Sequence, residues 1–248
     1  MTPISAVIIT RNEADNIARC LRSLAGVAEE CLVLDSQSED DTVAQAEALG
    51  ARVISVTWQG YAATKNQGNR EALYPYILSL DADEALSPAL QSSIKAAKKA
   101  GLLGAYQINR LNFYEGRPIR HGGFYPDRKI RLFNREEARW EGHYVHETLQ
   151  VKPGVTVQHL PGDLLHYSYA HRREHQERLR RYAQLAAARL HGRPGLSWKM
   201  WLSPIWRFLQ TYLLRGGFLD GTAGFHLCRL TAKEVFLKYR WARQKKAP

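Results

Sequence analysis

The chain holds little that would staple, span or export it. Its three cysteines, Cys20, Cys31 and Cys228, are an odd number without a CxxC pair. This excludes a disulfide framework and a cysteine zinc site, and points to a reducing compartment. No uninterrupted apolar run approaches the ~18 residues of a membrane-spanning helix. The best stretch, Met200 to Leu214, is broken by Arg207 and Gln210. The opening MTPISAVIIT has no basic n-region and no small-residue cleavage site, so a signal peptide is not expected. Internal repeats and low-complexity tracts are lacking. Acidic residues are scarce at one end: residues 168–248 hold 17 Lys and Arg against 4 Asp and Glu, whereas residues 1–167 hold 18 against 20. The net charge of +11 therefore belongs to the C-terminal third. Such a basic block suits nucleic acid or an anionic membrane surface.

What is present is an ordinary globular balance in 248 residues, 45% hydrophobic and 24% charged, which excludes a disordered or fibrous chain. A chain of this length can bury one good core, or one core plus an appendage. Over the first hundred residues strand and helix signals alternate. Strands are predicted at Ile4 to Thr10, Cys31 to Leu34, Arg52 to Val56 and Tyr76 to Leu80. Helices are predicted at Ala14 to Leu24, Ser38 to Leu49, Ala62 to Leu73 and Ser87 to Lys99. This order implies βαβ units and a doubly wound, mostly parallel α/β sheet. Strands at Ala105 to Tyr114 and Lys129 to Asn134 extend the sheet in mixed or antiparallel fashion. A basic helix is predicted from His171 to about His191, broken by Gly192 to Gly195. An aromatic segment (Trp198, Trp201, Trp206, Phe208, Tyr212), a Gly-rich patch from Gly216 to Gly224 and a last helix to about Arg243 follow.

Ligands of such sheets bind beyond the carboxyl ends of the strands. Asn12, Asp35, Asp81 and Asp83 all follow strands and are expected in one crevice. Asp81-Ala82-Asp83 places two carboxylates at a strand terminus, where they can share a hard divalent cation bound to a diphosphate; a solvated acidic turn is the plain alternative. Thr10-Arg11-Asn12-Glu13 and Asp35-Ser36-Gln37-Ser38 can hydrogen-bond a nucleobase edge and a ribose, or can simply cap helices. Gly122-Gly123 is either a turn or a close approach to a sugar. Arg128, Lys129 and Arg131 are partly structural, with Arg128 or Arg131 able to face an anionic group, and Asp127 is a lesser candidate for acceptor contact.

Taken in order, VIITRNEADNIARCLRSL (7–24), VLDSQSEDDT (33–42), Lys65-Asn66, LSLDADEALSP (78–88), HGGFYPDRKIRLFNRE (121–136), EGHYVHE (141–147) and LLHYS (164–168) resemble the family 2 glycosyltransferases of GT-A fold. The nearest subgroup in this resemblance is the bacterial lipopolysaccharide-core β-1,4-glucosyltransferases. The resemblance implies a GT-A catalytic domain over residues 1–170 and a helical, basic extension over 171–248. It implies that Thr10, Arg11, Asn12, Glu13 and Asp35 hold uridine, that Asp81, Ala82 and Lys65 sit near the donor, and that Asp81, Asp83 and His166 hold Mn2+ or Mg2+. Glu147, after His146, takes the place of the general base. The QxxRW motif of processive synthases does not occur. The implied reaction is inverting transfer of glucose from UDP-glucose to the lipopolysaccharide inner core. This requires Asp83 and His166 to face one shared cavity.

The chemistry stands without the resemblance. A carboxylate must take the acceptor proton, and a cation must absorb charge on the leaving diphosphate. The basic helix and the interleaved tryptophans suit peripheral attachment to the cytoplasmic face of the inner membrane, where a lipid-linked acceptor is presented; a homodimer interface is the competing use. A nucleic-acid-binding protein would also use the basic tail, but zinc-finger ligands and an RNP-like pattern are lacking. A nucleotidyltransferase would carry a Gly-rich loop after the first strand, where this chain has Arg11-Asn12-Glu13.

Overall fold

A computed structural model of the protein describes residues 2–142, 147–169, 172–188, 190 and 196–244. His146, His171, His191 and the Gly192 to Gly195 break lie outside the described residues. The elements in order are β1 (Ile4–Thr10), α1 (Ile17–Ser23), β2 (Glu30–Asp35), α2 (Thr42–Ala48), β3 (Arg52–Ser55), α3 (Tyr61–Glu71), β4 (Tyr76–Asp81), β5 (Glu84–Leu86) and α4 (Pro88–Ala100). Then come β6 (Ala105–Tyr114), β7 (Arg117–Pro118), β8 (Asp127–Asn134), β9 (Ala138–Glu141), β10 (Thr148–Val151) and β11 (Val157–Tyr169). Helices α5 (Arg172–Ala188), α6 (Leu196–Leu209) and α7 (Gly221–Arg243) follow. A π turn (Gln210–Leu214) and a 3-10 turn (Gly217–Asp220) lie between α6 and α7.

The chain forms two compact units, one of residues 1–110 and 127–166, the other of residues 111–126 and 167–248. The first unit is α/β. β3, β2, β1 and β4 run parallel in that order, and β8 joins β4 antiparallel, followed by β6, β11 and β5. All seven residues of β1 are buried, as a strand covered on both faces must be. Its side chains alternate between two cores. Ile4, Ala6 and Ile8 join Ile17, Leu21, Leu90 and Ile94 from α1 and α4. Val7 and Ile9 join Leu32, Leu34, Phe133 and Trp140, with α3 packed alongside. Gly68 makes the α3 approach possible: a Cβ there would lie 2.4 Å from Val7 Cγ1 and 2.7 Å from Leu34 Cδ1.

The expected elements form, with one instructive shift. The acidic run Glu39-Asp40-Asp41 does not open α2, which begins at Thr42. Instead Asp40 Oδ1 accepts from the Thr42 N–H and Asp40 Oδ2 from the Ala14 N–H, and Asn12 Oδ1 accepts from the Glu39 N–H. These bonds hold residues 36–41 as a loop clasped to the end of β1. Ser87 caps α4 as its position before Pro88 predicts, accepting from the Leu90 N–H. β11 has no counterpart among the predicted strands.

The second unit is helical apart from the strand ends that enter it. Leu179 and Ala183 of α5 pack with Ala223, Leu227 and Leu230 of α7 and with Tyr114 and Ile119. Gly224 faces the 3-10 turn so closely that a Cβ would lie 2.0 Å from the Gly217 carbonyl oxygen, which accounts for the glycine patch. Gly122 and Gly123 sit in a turn against Arg215, whose carbonyl accepts the Gly122 N–H at 2.8 Å. Asp220 accepts from the N–H groups of Arg120 and His121 and bonds His121 Nδ1 at 2.7 Å. On α6, Trp198, Trp201, Leu202, Ile205, Trp206 and Leu209 are 38–61% exposed, and the apolar exposure continues at Leu213, Leu214, Phe218 and Leu219. Among the described residues no helix is long and apolar enough to cross a membrane.

Candidate active site

Parallel register fixes the floor of the site. Thr10 pairs with Asp35, Asp35 with Ser55, and Ile9 with Asp81, so the carboxyl ends of β1, β2, β3 and β4 lie side by side. Asp35 is buried, and its two carboxylate oxygens accept the Ser38 N–H at 2.9 Å and the Ser38 hydroxyl at 2.5 Å. It closes its own turn, which carries Gln37 at φ 60°. Asn12, at φ 53°, clasps the same loop, donating its N–H to Ser38 Oγ. Glu13 accepts from Asn16 Nδ2 at 2.8 Å, and Arg11 is exposed. Asn12 and Asp35 clasp the loop that follows β2. None of these residues caps a helix, since the N-cap positions of α1 and α2 are Asn16 and Asp41 and neither helix end has a side-chain cap bond. Thr10 Oγ1 and Ser36 Oγ are buried at the same strand ends without a hydrogen-bond partner among the described residues.

The two aspartates of the DAD segment separate. Asp81 ends β4 and lies between two buried cations: Lys65 Nζ at 3.0 Å from Oδ1 and Arg131 Nη2 at 3.1 Å from Oδ2. Burial would raise its carboxyl, but the charges of Lys65 and Arg131 outweigh this and hold it well below the usual carboxylate range. Ala82 is buried in the core. Asp83, in the turn before β5, faces His166, with Oδ2 3.3 Å from Nε2 and both side chains part-exposed. The sheet explains a meeting across more than eighty residues: β11 pairs with β5 so that His166 stands opposite Glu84. Among the described residues no three His, Cys, Asp or Glu side chains gather as a metal set. The expected set of Asp81, Asp83 and His166 thus appears as a pair, with Asp81 engaged by Lys65 and Arg131.

Lys65 is 1% exposed on the inner face of α3. Its ammonium lies over the Trp140 ring, 4.6 Å from the centroid, and 3.6 Å from Glu147 Oε1. Asn66 fixes that tryptophan, donating to its carbonyl at 2.8 Å and accepting its N–H at 3.1 Å. On the other side Arg131 reaches Glu84 at 2.6 Å, Glu84 lies 3.6 Å from Arg110, and Arg110 holds Asp127 at 2.6 Å. A chain of alternating charge results: Asp127, Arg110, Glu84, Arg131, Asp81, Lys65, Glu147. Each cation is shared by two carboxylates. Arg110 and Lys129 hold the Asp127 carboxyl below its usual range against the opposing effect of burial. Arg131 and Asp127 thereby serve the chain's own network.

Glu84, Arg110, Asn66 and Trp140 were not singled out from the sequence as site residues. Glu84 carries a signal, since a third acid directly after a DAD segment is unusual cargo for a buried strand. Asn66 enters the resemblance beside Lys65 without a role of its own. Arg110 and Trp140 carry no signal, because their partners are set by register between distant strands and by the packing of α3 on β9.

Comparison with known proteins follows the same outline. Residues 5–155 match the Glycosyl transferase family 2. An uncharacterized glycosyltransferase of Rickettsia typhi is 32% identical over 238 residues, 91% of this chain and 81% of its own. The lipopolysaccharide core biosynthesis glycosyltransferase LpsC of Rhizobium meliloti is 26% identical over 96% of this chain and 93% of its own. A solved structure, glucosyl-3-phosphoglycerate synthase of Mycobacterium tuberculosis with Mn2+, UDP and glucosyl-3-phosphoglycerate, overlaps 46% of this chain and 44% of its own at 24% identity and a TM-score of 0.37.

Proposed function

Because the chain belongs to glycosyl transferase family 2, we propose that it transfers glucose from UDP-glucose, with inversion, to a lipid-linked saccharide of the lipopolysaccharide inner core at the cytoplasmic face of the inner membrane. The likeness to LpsC supports the acceptor class. The observation that carries the reading is the approach of Asp83 to His166 at 3.3 Å beyond the ends of the parallel strands.

The donor set suits a divalent ion. A carboxylate oxygen and an imidazole nitrogen, part-exposed and facing each other, leave coordination positions for diphosphate oxygens, whereas both oxygens of Asp81 already face cations. Asp83 and His166 would hold Mn2+ or Mg2+. When bound, such an ion supplies positive charge against the leaving diphosphate. The remaining work falls to the chain's own residues. Thr10 Oγ1 and Ser36 Oγ, buried beside Asp35 and unpartnered among the described residues, offer hydroxyls to a nucleoside. Glu147 takes the proton of the attacking acceptor hydroxyl as its oxygen bonds to the anomeric carbon. The bond from that carbon to the diphosphate breaks, and its electron pair leaves on the phosphate oxygen. Lys65, 3.6 Å from Glu147 and 3.0 Å from Asp81, orients the base.

Transfer and donor hydrolysis measured with and without EDTA, for the parent and for Asp83→Ala and Glu147→Gln, test these roles. The Glu147→Gln rate is expected to fall by about 10²- to 10⁴-fold with donor binding retained. Asp83→Ala is expected to lose the response to EDTA together with activity. Undiminished transfer in both variants overturns the assignment.

A further inference from the structure

We propose that the exposed row on α6 is a lipid-contacting face that lies in the interfacial layer of an anionic bilayer. This deepens the reading of a membrane-presented acceptor, on which it rests for its purpose but not for its geometry. Among the described side chains of α6, the six exposed large apolar residues fall at positions i, i+3, i+4, i+7, i+8 and i+11, starting from Trp198. At 100° per residue they occupy an arc of roughly 140°. That is the stripe an amphipathic helix ordinarily turns toward a core, and here it faces outward. The helix already has an inner face. Met200 is buried, and Phe208 stacks on Tyr212 and meets Phe225 edge-on. Trp201 also meets Phe236 of α7, ring centroids 5.7 Å apart, yet stays 61% exposed. The other five stripe residues are surplus to the packing shown for their own unit, and large exposed apolar patches mark interaction surfaces.

The occupant follows from length, residue type and charge. Fourteen residues span about 21 Å, short of the ~30 Å hydrocarbon layer, so α6 lies along a bilayer. Three tryptophans in the stripe suit the headgroup level. Lys199 sits 5.5 Å from the Trp198 ring, a cation beside the apolar stripe. Residues 196–244 hold eight Lys and Arg against Asp220 and Glu234, and Asp220 is engaged by the turn at Arg120 and His121. A second copy docked on this face would bring positive against positive, whereas an anionic leaflet supplies the opposite sign.

The test is co-sedimentation of the full chain with phosphatidylcholine vesicles and with vesicles containing phosphatidylglycerol, followed also by tryptophan emission. Binding to the anionic vesicles is expected, with a blue shift. Leu202→Glu/Ile205→Glu should reduce partitioning by about tenfold or more with circular dichroism unchanged, and Leu202→Ser/Ile205→Ser should give a smaller loss in the same direction. A chain that ignores both vesicle types overturns the proposal, as does vesicle binding that survives both double variants. Self-association by ultracentrifugation that the variants abolish, without vesicle binding, also overturns it. Transfer to a delipidated acceptor is run in parallel. Retained transfer without vesicle binding removes the surface and leaves the catalytic reading standing. Vesicle binding without transfer does the reverse.

Discussion

Replacing Arg131 by Met removes the centre of the charge chain while keeping most of the side-chain volume. Arg131 is 3% exposed, and its guanidinium faces Glu84 at 2.6 Å and Asp81 at 3.1 Å. Glu84 is itself buried. Removing one partner of a buried ion pair costs about 3–5 kcal/mol, because the other charge is left in a poor solvent. Two contacts remain to Glu84, Arg110 at 3.6 Å and the Asp81 N–H at 3.0 Å. Asp81 keeps Lys65. The lower end, about 3 kcal/mol, is therefore expected, or a fall of about 6–12 °C in the unfolding midpoint for a body of this size. The pH response supplies a second readout. The Asp81 carboxyl is held below its unfolded value of ~3.9, so its stabilisation is complete above that value and is lost as pH falls through it toward the folded value. Without Arg131 the folded value rises and this acid-sensitive part shrinks. Urea unfolding at several pH values should show a lower midpoint and a flatter acid limb. In Arg131→Met/Glu84→Leu, which no longer strands a carboxylate, part of the loss should return. A loss under about 1 kcal/mol with an unchanged acid limb would refute the reasoning.

Two further outcomes follow from the same geometry. Lys65→Met takes the shared cation from Asp81 and Glu147, so kcat should drop by on the order of 10²-fold through misplacement of the base, with a shifted pH profile; an unaltered profile and rate would remove Lys65 from the site. Gly68→Val drives a branched side chain into Val7 and Leu34 and should destabilise by about 1–3 kcal/mol or more, with Gly68→Ala the milder change; equal urea midpoints for the parent and both variants would show that α3 can back away freely.

The parallel half of the fold was legible because each strand is a short β-branched run followed by a helix with periodic apolar residues, and both signals are local. Ile4 to Thr10 is an example, matched to the residue. The converging ends of β1, β2 and β4 followed from topology alone. The start of α2 was misjudged because three acids in a row look like a first turn, whereas Asp40 is spent on Thr42 and Ala14. β11 was missed for a different reason. Val157 to Tyr169 includes a proline, a glycine, an aspartate and two histidines, a poor strand by composition, and it is ordered by its pairing with β5. Without β11 nothing internal to the sequence brings His166 to Asp83; the family resemblance alone named it. Likewise no periodicity says that residues 111–126 pack with the C-terminal helices.

The separation of Asp81 from Asp83 bears most on how the site works. In a continuous strand, residues two apart share a face. Here β4 stops at Asp81, and a turn at Ala82 and Asp83 leads into β5. One carboxylate therefore faces inward to Lys65 and Arg131, and the other faces His166. In the inner chain, four carboxylates share three cations, and each cation lies between two acids. The outer pair adjoins that chain, since the His166 charge also acts on Asp81, and among the described residues His166 is the basic group that pairs with Asp83. An added cation at Asp81 would meet two fixed positive charges at about 3 Å and be repelled, since such charges interact strongly at close range away from bulk water. At Asp83 it would meet negative charge first. The inner cations thus hold Glu147 and Asp81 in place, and Asp83 faces His166 instead. A DAD spacing read as two equivalent ligands conceals this division, which is set by where the strand stops.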